Sequence, residues 1–315
     1  MKVAEIGNKI KNQLKKVIVG QDTVIGEIMS AFFAGGHVLI EGVPGLGKTL
    51  LAKSMAKCLK VDFNRIQFTP DLMPSDIIGV NMYHASEGVF KFKPGPVFTN
   101  ILLADEINRT PPKTQSALLQ AMEERFITVD SENYKLVEPF FVIATQNPVE
   151  YEGTYPLPET QLDRFLMKIL IDYPSMKDEE DILRMTQSGM TVHNLIETSL
   201  ESVAGTEDIL ECQQELAAMK VEDALLGYLA QITNMTRKAS QVLLGASPRA
   251  SIALMHCAKT YAALEGREYL IPDDIKIMAK PVLRHRIILK PEAELENITT
   301  DSLIESLMTQ IPIPR

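Results

Sequence analysis

Cysteine is scarce: 3 occur in 315 residues, Cys58, Cys212 and Cys257, far apart. An odd, widely spaced set writes neither a disulfide framework nor a Cys-x-x-Cys metal knuckle, so a reducing compartment is expected. His-Glu-x-x-His is missing too, and the adjacent His256 and Cys257 fall on different faces of a helix, which leaves no zinc pattern. There is no Lys/Arg tract. The 32 basic and 41 acidic side chains leave a net charge of −9, which counts against general affinity for nucleic acid or an anionic membrane. No apolar run approaches the roughly 20 residues that cross a bilayer. The start of the chain mixes charged and aliphatic residues at helical spacing, without the apolar stretch and cleavage site of a leader. A soluble, cytoplasmic protein with no membrane insertion is expected. Low-complexity tracts and repeats of about 20 to 50 residues, the marks of linkers and solenoids, are also lacking.

What is present suffices for a real core: 45% hydrophobic and 23% charged residues, enough for one large or two modest domains. Short apolar runs of strand type lie at His37–Ile40, Phe63–Phe68, Ile101–Ala104, Phe140–Ala144 and Met167–Ile171, separated by helical patterning. That alternation predicts an α/β sheet. Two period-2 pairs read as β-hairpins grafted onto it: Asn81–His84 with Val89–Lys93, and Ile127–Val129 with Tyr134–Val137 around AspSerGluAsn. After Asp172-Tyr173-Pro174-Ser175 the strand signal stops. Helices are predicted at Met176–Ser188, Glu207–Met219, Glu222–Ser240, Pro248–Glu265 and Pro272–Arg284. The division expected is therefore residues 1–174 as an αβα core and 175–315 as an α-helical domain.

Gly42-Val43-Pro44-Gly45-Leu46-Gly47-Lys48-Thr49 fits G-x4-G-K-[ST], follows the first apolar strand and opens an amphipathic helix through Leu50. Backbone N–H groups of such a loop surround phosphates, Lys48 can bridge the β and γ groups, and the Thr49 hydroxyl can hold Mg²⁺. Asp105 and Glu106 stand at the tip of the strand Ile101–Ala104, where a parallel sheet opens its nucleotide crevice. Asp105 would organise the Mg²⁺ shell, and Glu106 would take a proton from the attacking water.

Together these segments resemble the AAA+ ATPases, and more narrowly their MoxR group. The resemblance rests on Ile18-Val19-Gly20-Gln21, Glu41 to Thr49, Arg65-Ile66-Gln67-Phe68-Thr69-Pro70-Asp71-Leu72 and Ala104-Asp105-Glu106-Ile107-Asn108-Arg109. It continues through Ala144-Thr145-Gln146-Asn147-Pro148, Gln161-Leu162-Asp163-Arg164-Phe165 and Gly245-Ala246-Ser247-Pro248-Arg249-Ala250. It implies a P-loop αβα sandwich with hairpin insertions and a helical lid, binding ATP or ADP with Mg²⁺. The implied nucleotide contacts are Val19 and Gly20 beside the adenine, then Gly42, Pro44, Gly45, Leu46, Gly47, Lys48, Thr49, Leu50 and Asp105. Thr49 and Asp105 are the implied metal ligands.

The resemblance also assigns roles that spacing alone leaves open. Asn147 becomes a first sensor that positions the hydrolytic water; taken alone, an Asn in a strand-end loop is more often a turn former. Arg249 becomes a second sensor reaching the γ-phosphate from the lid. A cation at a helix start is unfavourable against the dipole, which suits an external anion partner. Arg164 becomes an arginine finger for a neighbouring subunit, against the plainer reading of a surface ion pair with Asp163 or Glu159. Arg109 is a weaker intersubunit candidate, and Gln67 a possible restraint on Glu106. Both hairpins would face the axis of a ring, a self-assembled homo-oligomer of six copies. The implied activity is ATP-driven remodelling, maturation or activation of a client protein, with a partner bearing a von Willebrand factor A domain. A DNA-directed motor or clamp loader is the alternative, disfavoured by the acidic balance and the absence of a DNA-binding appendage.

Overall fold

The computed structural model describes residues 1–148, 153–187 and 192–314. Helices α1 (Lys2–Leu14) and α2 (Asp22–Phe33) precede β1 (Val38–Glu41), and α3 (Lys48–Leu59) leads to β2 (Phe63–Gln67). A short helix α4 (Pro74–Ile78) enters the hairpin β3 (Gly79–His84) and β4 (Val89–Pro94); then come β5 (Ile101–Asp105), α5 (Pro112–Glu124) and a second hairpin, β6 (Phe126–Val129) with β7 (Glu132–Lys135). Next are β8 (Phe141–Gln146), α6 (Glu159–Leu162) and β9 (Met167–Leu170). The C-terminal half runs α7 (Met176–Gln187), α8 (Val192–Ser199), α9 (Thr206–Ala218), α10 (Asp223–Lys238), β10 (Val242–Leu244), α11 (Pro248–Leu264), α12 (Pro272–Leu283), β11 (Ile288–Leu289), α13 (Pro291–Leu295) and α14 (Thr300–Gln310).

The five core strands form one parallel sheet in the order β2-β5-β8-β1-β9. Its three central strands, β5, β8 and β1, are apolar and buried up to their last one or two residues because helices cover both faces. Alternation then divides each strand: Val38, Ile40, Ile101, Leu103 and Ile143 enter one core with α1 to α3 and the C-terminal helices. Leu39, Leu102, Ala104, Val142 and Ala144 enter the other, with α4, α5 and the second hairpin. The first core runs unbroken from Val3 to Ile311, so the C-terminal helices pack onto the sheet's own covering layer.

Helix signals locate the five predicted C-terminal helices to within two residues, although Ser188 lies outside the described residues. Periodicity missed the antiparallel pairing of β10 with β11 (Val242↔Leu289, Leu244↔Ile288), whose strands of three and two residues are too short to show a period. The second hairpin turns more tightly than expected. Asp130 and Ser131 both have positive φ (49° and 72°), giving a two-residue turn, and β7 begins at Glu132. Lateral contacts join the hairpins to each other: Phe92 stacks on Tyr134 at 4.0 Å between centroids, and Asn81 donates to Asp130 at 2.7 Å. All three cysteines are free and buried. Among the described residues no helix is long and apolar enough to cross a membrane.

A candidate nucleotide site at the carboxyl edge of the sheet

The loop after β1 and the tips of β2, β5 and β8 enclose a cleft of about 410 Å³ lined by Pro44, Gly45, Gly47, Lys48, Thr49, Arg65, Gln67, Asp105, Glu106, Thr145, Gln146 and Asn147. Parallel strands place all these residues at one edge because every strand ends there, and the crevice of an open α/β sheet forms beyond those ends. Glycine is required at two kinds of position. Gly45 and Gly47 take φ of 87° and 80° with open space where a Cβ would stand, whereas a Cβ on Gly42 would come within 2.7 Å of the Ile171 carbonyl. A concave backbone at the N-terminus of the 12-residue helix α3 fits an anion. Lys48 donates through Nζ to the Gly42 carbonyl and, at 3.4 Å, to that of Gln146. Burial pulls its ammonium below the usual lysine range, and the carboxylates of Asp105, Glu106 and Glu41 oppose that pull. Hydroxyl and carboxylate oxygens at Thr49 and Asp105 are the hard donors that suit Mg²⁺.

The acids are held by a chain of polar contacts that composition gave no hint of. Thr145 donates its hydroxyl to Asp105 Oδ1 (2.6 Å) and accepts the Glu106 N–H (2.9 Å), tying both acids to β8. Arg65 donates to Asp105 Oδ2 from Nε (3.1 Å) and Nη2 (2.7 Å), and to Gln67 Oε1 (2.7 Å). Gln67 in turn donates to Glu106 Oε2 at 2.7 Å, and Arg109 Nε lies 3.3 Å from the same oxygen. Glu106 adopts a left-handed backbone, φ 59°, which aims its side chain sideways along β2 rather than onward from β5. Arg65 and Gln67 stand two apart at the end of β2 beside the two acids, and Thr145 is the penultimate residue of β8 on the other side. The Gln67 contact with Glu106 is the one expected from the resemblance; the roles of Arg65 and Thr145 follow from the register of neighbouring strands.

Of the other expected residues, Asn147 is buried and lines the cleft. Val19 and Gly20 are connected to the loop through Gln21, whose side chain donates to the Leu46 carbonyl at 2.9 Å, and Asp178 of α7 packs over Gly20. Gly42 and Leu50 flank the lining residues in sequence. Arg249, exposed in the first turn of α11, does not line the cleft. Nor does Arg164. Its Nη1 donates to the Leu119 carbonyl and pairs with Glu123, each at 2.9 Å. An ion pair with Asp163 or Glu159 was the expected alternative; the partner is Glu123 instead, because α5 lies alongside the turn. Asp163 is taken by Arg286. His256 is exposed and Cys257 buried, on opposite faces of α11 as their adjacency implies.

Residues 37–167 match the model of the ATPase family associated with various cellular activities (AAA), and residues 234–307 match an AAA lid domain. The chain is 40% identical over 312 residues to the chaperone MoxR1 of Mycobacterium tuberculosis, covering 96% of this chain and 81% of that protein. The chain belongs to the MoxR group of AAA+ ATPases. A further relative of this MoxR-group chain is the uncharacterized protein YeaC of Bacillus subtilis, 48% identical over 306 residues, 97% of this chain and 94% of the other. Among solved structures, a protein described only as a candidate ATPase from Cytophaga hutchinsonii superposes with a TM-score of 0.90 at 42% identity, over 100% of this chain and 97% of that one. The P-loop sandwich with hairpin insertions and a helical lid, implied by the MoxR-group motifs, is the observed architecture.

Proposed function

We propose that this MoxR-group protein binds ATP in the cleft and hydrolyses it at the interfaces of a six-membered homo-oligomeric ring, using the cycle to remodel or activate a client protein. One observation carries this reading. Lys48, Thr49, Asp105, Glu106 and Asn147 converge on one cleft, while Arg164 lies outside it on the same chain. A finger that cannot serve its own cleft suits a neighbour's, since a guanidinium fork spreads over the charge of a transferring phosphoryl group.

Within one site the residues divide the work. Lys48 exchanges its carbonyl contacts for β- and γ-phosphate oxygens. Thr49 and Asp105 would hold Mg²⁺, which supplies charge neutralisation across the phosphates. Asn147 orients the water, and Glu106 takes its proton once the Gln67 amide releases the carboxylate. Val19 and Gly20 border the adenine, and Arg249 reaches the γ-phosphate from α11 of the lid. The chaperone named among the relatives supports a protein client; the motif resemblance extends that to a partner with a von Willebrand factor A domain.

Mixing variants tests the shared site. Arg164→Ala and Lys48→Ala should each be inactive alone, since each lacks one half of every site. Mixed under subunit exchange, an intact Arg164 on one chain faces an intact loop on the next, and about a quarter of the sites become complete if assembly is random. No recovery despite exchange confirmed by labelling would refute the interface site. Native co-purification with mass spectrometry tests the client, and recovery of DNA with no protein partner would overturn it.

A further inference from the structure

The turn that carries Arg164 is gripped from the C-terminal half of the same chain. Directly after α12 stand Arg284, His285 and Arg286. The Arg286 side chain is 4% exposed and makes five contacts on its surroundings. Nε donates to Asp163 Oδ1 (2.7 Å), Nη1 to the carbonyls of Leu166 (3.0 Å) and Val282, and Nη2 to those of Phe165 (2.7 Å) and Asp163 (3.4 Å). His285 Nε2 adds a donor to the Phe165 carbonyl at 3.0 Å, which fixes the ring as the Nε2–H tautomer because a carbonyl can only accept. Arg284 donates to the Lys168 carbonyl (3.1 Å) while clamping Asp301 of α14 with two bonds, 3.0 and 2.7 Å. Three consecutive residues thus hold the backbone at 163, 165, 166 and 168.

Arg164 stands in the middle of that grip, and its side chain leaves the turn toward α5. Burying a guanidinium is costly unless its donors are satisfied. Here every one of its nitrogens finds an acceptor, and most acceptors belong to the finger's own turn. The anchor's effect is to fix where the turn sits relative to α12.

We propose that Arg286 is a positioning residue for Arg164: it locks the finger's turn to the lid of its own chain, so that movement of one subunit's lid moves the finger offered to the next subunit's nucleotide. This rests on reading Arg164 as a finger acting in trans. Lid position in one subunit then sets catalytic competence in its neighbour through this grip, with Arg286 its most extensively bonded member, and nucleotide state passes around the ring without a separate linker.

The test uses full-length Arg286→Lys, which keeps the charge beside Asp163 and loses the fork, with Arg286→Gln as a second variant. ATP affinity should stay within about twofold of wild type, while turnover falls about a hundredfold, the penalty typical of displacing a catalytic group by 1 Å. Mixed with Lys48→Ala, the Arg286 variant should recover activity to the level of the Arg164→Ala and Lys48→Ala mixture; mixed with Arg164→Ala it should recover nothing, because both supply defective fingers. Amide hydrogen exchange at Arg164 and Phe165 should quicken, with exchange in α3 unchanged. Turnover within twofold of wild type overturns the proposal. So does a Lys48→Ala mixture that stays inactive while the Arg164→Ala mixture recovers, since Arg286 then acts within its own site. Loss of folding or of ATP binding in both variants makes Arg286 a core anchor only, and also overturns it. If Arg164→Ala itself keeps full activity, the reading of the finger fails first, and the proposal falls with it.

Discussion

The Gln67 amide donates to the Glu106 carboxylate at 2.7 Å, on the oxygen that Arg109 approaches at 3.3 Å. A carboxylate so engaged has one face turned to protein donors and is less available as a base. Hydrogen bonds to a charged acceptor contribute about 1.5–3 kcal/mol. Gln67→Ala is therefore expected to raise the basal ATPase rate, by up to about tenfold with Arg109 still in place. Steady-state hydrolysis without client decides it: a lower rate would mean that Gln67 aims Glu106 rather than restraining it.

Lys48 and Glu106 line the same cleft and should fail differently. Lys48→Ala removes the ammonium from the phosphate loop and should abolish or severely weaken ATP binding. Glu106→Gln keeps the shape and hydrogen-bonding reach of the side chain while losing the base, so binding persists and turnover drops about 10²–10⁴-fold. Nucleotide titrations beside hydrolysis assays separate the two. Equal loss of binding in both would refute the division of roles.

The two variants probe the part of the site that the sequence spells out, and the reason is locality. A phosphate loop is eight consecutive residues whose glycines answer to their own φ angles, and the acids are two neighbours at the end of one apolar run. The three central parallel strands were legible for the same reason, each opening with a short unbroken apolar segment. Contacts between distant segments were not, apart from the Gln67 and Glu106 pair that the resemblance supplied. Arg286 grips Asp163 across 123 positions, and Thr145 bonds Asp105 across 40. No period or motif links such pairs; only the packing of α12 on the turn of Arg164 and the register of β8 on β5 brings them together. Arg164 shows the same limit. Its sequence neighbour Asp163 was the natural ion-pair partner, yet the turn sends the two side chains apart, one to α5 and one to Arg286.

Arg249 stands exposed in the first turn of α11, outside the cleft, where the helix dipole disfavours a cation. An anion arriving with the nucleotide would reverse that penalty and draw α11 toward the core. Arg249→Ala should slow hydrolysis and reduce the compaction caused by a non-hydrolysable ATP analogue. Small-angle scattering with and without the analogue reads this directly; a variant that compacts as fully as wild type would end the sensor assignment.

His37, buried at the start of β1, should make the fold acid-sensitive. Its Nδ1 accepts the Val142 N–H at 3.0 Å and its Nε2–H faces the Met122 carbonyl at 3.2 Å, an arrangement that only the neutral ring satisfies. Burial, aided by the nearby Arg125 guanidinium, pushes its pKa down from 6.5 to about 3, with the Met122 carbonyl opposing. Below pH 6.5 the unfolded chain therefore binds a proton at this position that the folded chain refuses until about pH 3. Stability rises with pH across that window and is lost as pH falls through it, at about 1.4 kcal/mol per pH unit for one such group, or about 2 kcal/mol between pH 6.5 and 5. His285 is buried and shifted in the same direction, so wild type should lose stability still more steeply. His37→Gln can present an amide oxygen to Val142 and an N–H to Met122 without titrating. Its urea midpoint should therefore fall less than that of wild type between pH 7 and 5, with an unchanged m-value. Equal acid slopes in the two proteins would show that the His37 imidazole is charged in the fold or finds water there, contrary to the two hydrogen bonds that hold it.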